Sequence, residues 1–310
     1  MIINTGCRTD IPAFYSKWLI TRIKEGYVYV RNPYYPKLIM KYILDPSVVD
    51  SLEFCTKNPE PMLKYLDEIN IYKQFWFVTI TPYGKDIELN VPDKDEVIKS
   101  FQKLSLKLGI NCVGWRYDPI FFNKDFGIYE HINVFKYIAS KLKGYTNYVV
   151  ISFLDLYEKV KINAPDLRPP NKEEQIIIVK EFVNIGKEYG IQIYSCCEKD
   201  YLKEYGVNIS GCRSKSLVEK NIGYKLNYPK IKGSREGCSC LLGNDIGAYD
   251  SCGYLCRYCY ANTNKKNVLE NIKRHNSASP LLIGEVESDD KIVEAVQKSY
   301  KVTEEQITLF

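Results

Sequence analysis

The sequence predicts an α/β fold of parallel βα units, and a partial TIM-type barrel is preferred to a doubly wound sheet. Short apolar runs alternate with longer amphipathic stretches from the start of the chain to about residue 198, which is the pattern of strands followed by helices. Polar residues follow the apolar runs, where the strands of either architecture end and its chemistry gathers. With 310 residues, 45% of them hydrophobic, the chain can bury a large core.

Two sequence patterns, short apolar runs and apolar residues at helical spacing, predict the individual strands and helices. The strand candidates are short apolar runs: Met1–Thr5, Ser51–Thr56, Phe75–Ile80, Cys112–Tyr117, Tyr148–Phe153 and Ile191–Ser195. The helix candidates are longer and carry apolar residues at helical spacing: Ala13–Glu25, Pro61–Ile69, Asp93–Leu108, Ile128–Leu142 and Asn171–Tyr189.

Three segments lie outside this alternation. Tyr27–Val30 and Leu38–Leu44 predict an inserted hairpin around a turn at Asn32–Pro36. Residues 210–262 are rich in glycine and cysteine, which disfavours regular structure and favours a metal-binding loop. The final stretch predicts one helix, Asp289–Tyr300, followed by a polar tail.

Charge and cysteine content indicate which partners and which cellular compartment to expect. Lys+Arg 43 against Asp+Glu 38 gives a net charge of +5, which is compatible with nucleic acid but does not require it. The 26 tyrosines include candidates for stacking on bases. No secretory leader and no apolar run long enough for a membrane span are visible, so we expect a cytoplasmic protein without a membrane partner. In that reducing compartment, eleven cysteines favour metal or redox chemistry over disulfides.

The strongest motif is Cys252-Gly-Tyr-Leu-Cys256-Arg-Tyr-Cys259. Three thiolates with this spacing can converge on one inorganic core and leave a fourth metal position without a protein ligand. A zinc site would need a fourth ligand, and paired C-x2-C knuckles are not present. An iron–sulfur cluster with one open iron fits the count better. A zinc loop or incidental thiols remain the alternatives.

This motif resembles the signature of the radical S-adenosylmethionine superfamily, C-x3-C-x-aromatic-C, with Tyr258 as the aromatic residue. The resemblance implies that the three cysteines hold a [4Fe–4S] cluster whose open iron binds S-adenosylmethionine. It also implies an electron donor for the cluster and a 5′-deoxyadenosyl radical that abstracts hydrogen from the substrate. The continuation through Tyr260 is similar to the spore photoproduct lyase branch, and the chain as a whole looks most like a bacterial family of unknown function that ends in this cluster.

In the superfamily the motif normally follows the first barrel strand, whereas here it lies near residue 255. Segments earlier in the chain resemble the second to fifth strands of the photoproduct lyases, which implies a circularly permuted barrel whose first strand, near Asp245–Tyr249, comes last. The implied organisation is a βα barrel portion (1–210), a Cys-rich cluster-binding segment that completes the barrel (211–275), and a helix with a C-terminal docking tail (276–310). The segments that resemble the second, third, fourth and fifth strands are, in that order, Thr5–Asp10, Cys55–Asn58, Phe77–Thr81 and Arg116–Pro119.

The same matching implies roles for residues at the strand ends. S-adenosylmethionine would be held by Thr5, Gly6, Thr79, Arg116 and Tyr258, with Tyr258 beside the adenine. Catalytic groups on the substrate side would be Asp10, Lys57, Tyr83 and Asp118.

Four further cysteines predict a second site. Cys238 and Cys240 lie two residues apart, and Cys212 and either Cys196 or Cys197 precede them. Together they could hold a second [4Fe–4S] cluster with every iron ligated by protein. The rival is a structural zinc, which also accepts four sulfurs.

The last five residues, Gln306–Phe310, resemble the peptide by which bacterial repair and replication proteins bind the DNA sliding clamp. An accidental match in a polar tail is the alternative. The three-cysteine motif implies radical chemistry, and the clamp-like tail implies DNA. Together they predict a lyase-like radical enzyme for repair or processing of DNA or nucleotides. The other hypotheses are a radical enzyme acting on RNA, a peptide or a metabolite, and a non-enzymatic zinc or iron–sulfur protein that binds nucleic acid.

Overall fold

The computed structural model describes residues 1–229, 238, 240–241 and 243–302. Its strands are β1 (Ile2–Asn4), β2 (Tyr27–Arg31), β3 (Leu38–Ile43), β4 (Ser51–Thr56), β5 (Gln74–Thr79), β6 (Val113–Ile120), β7 (Tyr148–Phe153), β8 (Gln192–Ser195), β9 (Asn244–Asp245) and β10 (Lys291–Glu294). Its α-helices are α1 (Ile11–Phe14), α2 (Ser16–Glu25), α3 (Glu60–Leu63), α4 (Lys94–Leu108), α5 (Ile128–Leu142), α6 (Glu158–Asn163), α7 (Lys172–Tyr189), α8 (Lys215–Ile222) and α9 (Lys265–Lys273).

Seven strands form one parallel sheet in the order β8-β7-β6-β5-β4-β1-β9. The spatial order follows the chain order except that β9, late in the chain, lies beside β1, with Ile3 opposite Asn244. The predicted α/β fold and the strand near Asp245 are therefore confirmed. Closure into a barrel is not shown, because no pairing between β8 and β9 occurs among the described residues.

The two faces of the sheet are covered by different parts of the chain. On one face Trp115 stacks on Phe135 of α5 at 4.7 Å, and Phe135 stacks on Phe182 of α7 at 3.7 Å. On the other face Phe75 and Phe77 pack in a cluster with α8 and several cysteines. Because neighbouring strand residues point to opposite faces, α8 lies on the opposite side of the sheet from α5 and α7.

The C-terminal helix prediction, Asp289–Tyr300, is wrong. Lys291–Glu294 is β10, which pairs in parallel with β3 and extends the confirmed hairpin into a sheet of order β10-β3-β2. The β-branched pair Ile292 and Val293 suits a strand, and the edge of β3 supplies the hydrogen-bonding partners. A contact between segments about 250 residues apart outweighs local helical preference here.

Three other local predictions also differ from the structure. The helix Ala13–Glu25 is broken at Tyr15, whose backbone leaves the helical region and whose hydroxyl donates to the Ser251 carbonyl at 2.6 Å. Pro61–Ile69 is the short helix α3 followed by a 3-10 turn. The Cys-rich segment contains the regular helix α8, which begins at a side-chain cap by Ser214.

No helix within the described ranges is both long and apolar enough to cross a bilayer.

Candidate metal centres

The segment 252–259, which we call the cluster loop, lies against the segment that follows β5. Main-chain hydrogen bonds join Arg257 N to the Ile87 carbonyl at 3.0 Å and Asn90 N to the Tyr254 carbonyl at 3.1 Å. Leu255 has a φ of 55°, a left-handed conformation that is uncommon outside glycine. This turn lies between the first two cysteines, so the loop doubles back at the carboxyl edge of the sheet.

The three thiols of the cluster loop are partly buried. Burial raises the pKa of Cys252, Cys256 and Cys259, and the neighbouring thiols raise that of Cys252 and Cys256 further. Lys57 acts in the opposite direction on Cys256 and Cys259. Free thiols here stay protonated at neutral pH, so a bound metal must displace protons to gain its thiolate ligands.

The donor set of the cluster loop can be tested against the two kinds of metal centre. Within the described ranges, only the carboxylates of Glu287, Asp289 and Asp290 form a group of three ligand atoms that all lie within 4.8 Å of one another. Around one tetrahedral zinc, with Zn–S bonds of about 2.3 Å, neighbouring sulfurs lie about 3.8 Å apart. Three cysteines supply three of the four ligands of a tetrahedral zinc, and the same three on a four-iron core would leave one iron open.

Glu88 connects the cluster loop to the ends of β4 and β5. Its Oε1 accepts hydrogen bonds from Lys57 Nζ at 2.8 Å, from Thr81 Oγ1 at 2.7 Å, and from the Tyr258 hydroxyl. Glu88 is only 3% exposed and forms an isolated β-bridge with Cys256. This buried carboxylate fixes both a lysine and the aromatic residue of the motif.

Asp10 lies on the other side of the cluster loop. Its carboxylate caps α1 by accepting from Ala13 N at 3.1 Å, and it also accepts from Lys57 N at 2.7 Å. Burial raises the pKa of Asp10 to about 6, against the opposing effect of the Lys57 amide hydrogen bond. The negative charge of Asp10 adds to burial in raising the pKa of Cys252, and a main-chain hydrogen bond from Asp10 lowers that pKa by a smaller amount.

Tyr83 and Asp118 have partners of their own. The Tyr83 hydroxyl donates to the Pro119 carbonyl at 2.7 Å and accepts from Phe121 N at 3.2 Å. Asp118 forms an ion pair with Arg116. The Tyr83 hydroxyl is therefore committed to the main chain, whereas the Asp118 and Arg116 side chains, 21% and 14% exposed, retain some access to solvent.

The residues that were predicted to bind S-adenosylmethionine do not all line the same pocket. Thr79 lines a pocket together with Thr81, Lys85 and Glu88, next to the cluster loop. Thr5 is fully buried and donates its hydroxyl to the Glu53 carbonyl at 3.1 Å. Neither Thr5 nor Gly6 is among the residues that line this pocket.

Gly6 has a packing role that only glycine can fill. A Cβ at this position would lie 2.3 Å from the Cys55 carbonyl oxygen, a main-chain atom that cannot move aside easily. The close approach of the two backbones therefore explains this glycine without a ligand.

A second group of thiols lies on the face of the sheet that α8 covers. Cys212 Sγ is 3.5 Å from Cys196 Sγ and 3.3 Å from Cys240 Sγ. Cys238 packs in the same cluster and is partly buried. Cys196 Sγ therefore lies beside Cys212, and Cys197, which hydrogen-bonds to Cys196, packs in the same cluster.

Exposed tyrosines surround the outer end of the cluster loop, and we call Tyr157, Tyr249 and Tyr260 the tyrosine rim. Their exposed fractions are 45%, 39% and 49%. The rings of Tyr157 and Tyr260 lie 6.1 Å apart, and Lys159 Nζ lies 5.8 Å from the centre of the Tyr249 ring. Because Tyr260 directly follows Cys259, this surface of rings and positive charge is adjacent to the thiols.

Residues 2–261 match the family described as Domain of unknown function (DUF1848). The chain belongs to this family. The DUF1848 match contains both groups of cysteines and ends two residues after Cys259, whereas β10 and the C-terminal tail lie beyond it. No curated protein and no solved structure matches the chain.

The structure of this DUF1848 chain brings most predicted site residues to the carboxyl edge of the sheet. Around the cluster loop lie Asp10, Lys57, Thr79 and Tyr258. Sequence reasoning missed Glu88, a single acidic residue in a segment predicted as loop, because only its burial beside three donors distinguishes it. The predicted docking residues Gln306–Phe310 lie outside the described residues.

Proposed function

We propose that this DUF1848 chain is a radical S-adenosylmethionine enzyme that acts on DNA or a nucleotide. The observation that carries the proposal is the C-x3-C-x-Tyr-C loop, whose three partly buried thiols lie at the carboxyl edge of a parallel sheet. Chemistry in parallel α/β folds gathers at this edge. Three ligands on a four-iron core leave one iron open to a small molecule.

The strand order supports the circularly permuted barrel as part of the same proposal. The cluster loop follows β9, and β9 is the edge strand beside β1. In space, therefore, the loop follows the first strand of the series, although it lies near residue 255 in sequence. Permutation of this kind is tolerated where chain termini lie close together.

The chain's own residues would have distinct tasks. Cys252, Cys256 and Cys259 would hold a [4Fe–4S] cluster, which together with S-adenosylmethionine supplies a 5′-deoxyadenosyl radical for hydrogen abstraction. Burial lowers the pKa of Lys57, but the charges of Glu88 and Cys256 outweigh it and hold that pKa above its ordinary value. Lys57 therefore keeps its positive charge beside the thiolates and offsets their negative charge.

The tyrosine rim supports nucleic acid or a nucleotide as the substrate class. Aromatic rings stack on bases irrespective of sequence, and cations beside them attract phosphate. Lys159 provides such a cation between the rings of the rim, donating to the Tyr260 carbonyl at 3.3 Å. The net charge of +5 is compatible with the same class of partner.

Cleavage of S-adenosylmethionine tests the proposal. The protein is reconstituted anaerobically with iron and sulfide, reduced with dithionite as a substitute for the natural electron donor, and assayed for 5′-deoxyadenosine by mass spectrometry. We expect product from the unaltered chain and from Cys112→Ser, whose thiol contacts the Asn221 carbonyl away from the cluster loop. We expect none from Cys256→Ala. An intact, reduced cluster in the unaltered chain that yields no 5′-deoxyadenosine contradicts the proposal.

A further inference from the structure

The second thiol group joins parts of the chain that belong to opposite edges of the sheet. Cys196 directly follows β8, one edge strand, and Cys240 precedes β9, the other edge strand. Cys212, which lies just before α8, has its sulfur 3.5 Å from the first and 3.3 Å from the second. Three segments that are distant in sequence thus meet at sulfur atoms.

These sulfurs lie in an otherwise apolar cluster, but a main-chain amide and two guanidinium groups lie beside them. Arg213 N donates to Cys240 Sγ at 3.4 Å, and such amide–sulfur hydrogen bonds orient and tune thiolate ligands in metal sites. The positive charges of Arg116 and Arg213 lie near Cys212. Arg213 is itself fixed by an ion pair with Glu53 at 2.8 Å, so its charge is held in place beside the thiols.

A simple disulfide accounts less well for the arrangement. Cys212 lies close to two sulfurs and could form a disulfide with only one of them. The three side chains of Cys196, Cys212 and Cys240 are 8%, 3% and 7% exposed. Convergence of three or more buried cysteines is what a bound metal requires.

We propose that Cys196, Cys212, Cys238 and Cys240 hold a second metal centre that closes the sheet by linking its two edges. Four protein thiolates leave no open coordination position, so this centre binds no substrate. It takes the place of the strand pairing between β8 and β9 that does not occur among the described residues. The proposal goes beyond the proposed function, because it does not depend on radical chemistry at the cluster loop.

The test separates the two centres by removing the first one. In the variant Cys252→Ala/Cys256→Ala/Cys259→Ala, purified without oxygen, we expect about one zinc or about four irons per chain to remain. Adding Cys212→Ala is expected to remove that metal, whereas adding Cys112→Ser leaves it in place. Zinc identifies the centre as a single ion and iron with sulfide as a cluster, and both support the proposal. A folded triple variant without stoichiometric metal overturns it.

A second measurement on the unaltered chain keeps the test valid if the variants do not fold. Iodoacetamide labelling followed by mass spectrometry reports the accessibility of each thiol before and after removal of metal. We expect the four proposed ligands to become reactive together, and hydrogen exchange in β8 and β9 to rise more than in the central strand β5. Reactivity of Cys212 that is unchanged by metal removal, under conditions that unmask Cys252, overturns the proposal.

Discussion

At the scale of single residues, Glu88 is the group on which the cluster loop depends most. It receives hydrogen bonds from the ends of two strands and from Tyr258, and it faces Lys57 in a pair whose side chains are 4% and 13% exposed. Removing one partner of a buried ion pair leaves the other charge uncompensated. The sequence placed Tyr258 and Lys57 at the site, but it could not identify Glu88, since three donors converge on it only in the folded chain.

We therefore expect Glu88→Gln to lower the free energy of unfolding by about 3 to 5 kcal/mol, the usual cost of breaking a buried pair. Urea denaturation measures this change. The matched control is Glu60→Gln, which removes the same charge from an ion pair with Lys103 whose side chains are 49% and 59% exposed. Its expected effect is below about 1 kcal/mol. Equal effects of the two substitutions would show that Glu88 does not anchor the loop.

At the scale of elements, the sequence pattern predicted the strands and helices that are stabilised by their own local sequence. The buried strands of the main sheet are apolar runs with turn residues at their ends, and their positions agree with the structure to within a few residues. The helix prediction for Asp289–Tyr300 was wrong because this segment contains β10, which pairs with β3 about 250 residues earlier in the chain. The break at Tyr15 likewise depends on a distant carbonyl, that of Ser251.

The C-terminal tail provides a prediction at this scale. We expect removal of Gln306–Phe310, or the change Leu309→Ala/Phe310→Ala, to reduce binding to a bacterial DNA sliding clamp at least tenfold, because the apolar anchors of such peptides supply most of their affinity. Surface plasmon resonance measures the binding. Metal content and 5′-deoxyadenosine formation should stay unchanged, since both groups of cysteines lie outside the tail. Undiminished binding after the deletion would remove this argument for a DNA substrate.

At the scale of the whole molecule, the two groups of cysteines lie at different places on the main sheet. The cluster loop covers the carboxyl edge of the sheet, and the second group lies on the face beneath α8. Cysteine spacing predicted Cys252, Cys256 and Cys259 as one group, whereas the second group was expected although its spacing is irregular. The meeting of Cys196, beside β8, with Cys212 and Cys240, beside β9, could not be predicted, since it depends on where the two edge strands lie in space.

The most direct test of the central claim is whether S-adenosylmethionine binds the metal centre of the cluster loop. Electron paramagnetic resonance spectra of the dithionite-reduced protein are recorded with and without S-adenosylmethionine, for the unaltered chain and for Cys256→Ala. The proposal predicts that S-adenosylmethionine changes the spectrum of the unaltered chain and produces no such change in the variant. A reduced cluster whose spectrum is identical with and without S-adenosylmethionine would contradict it.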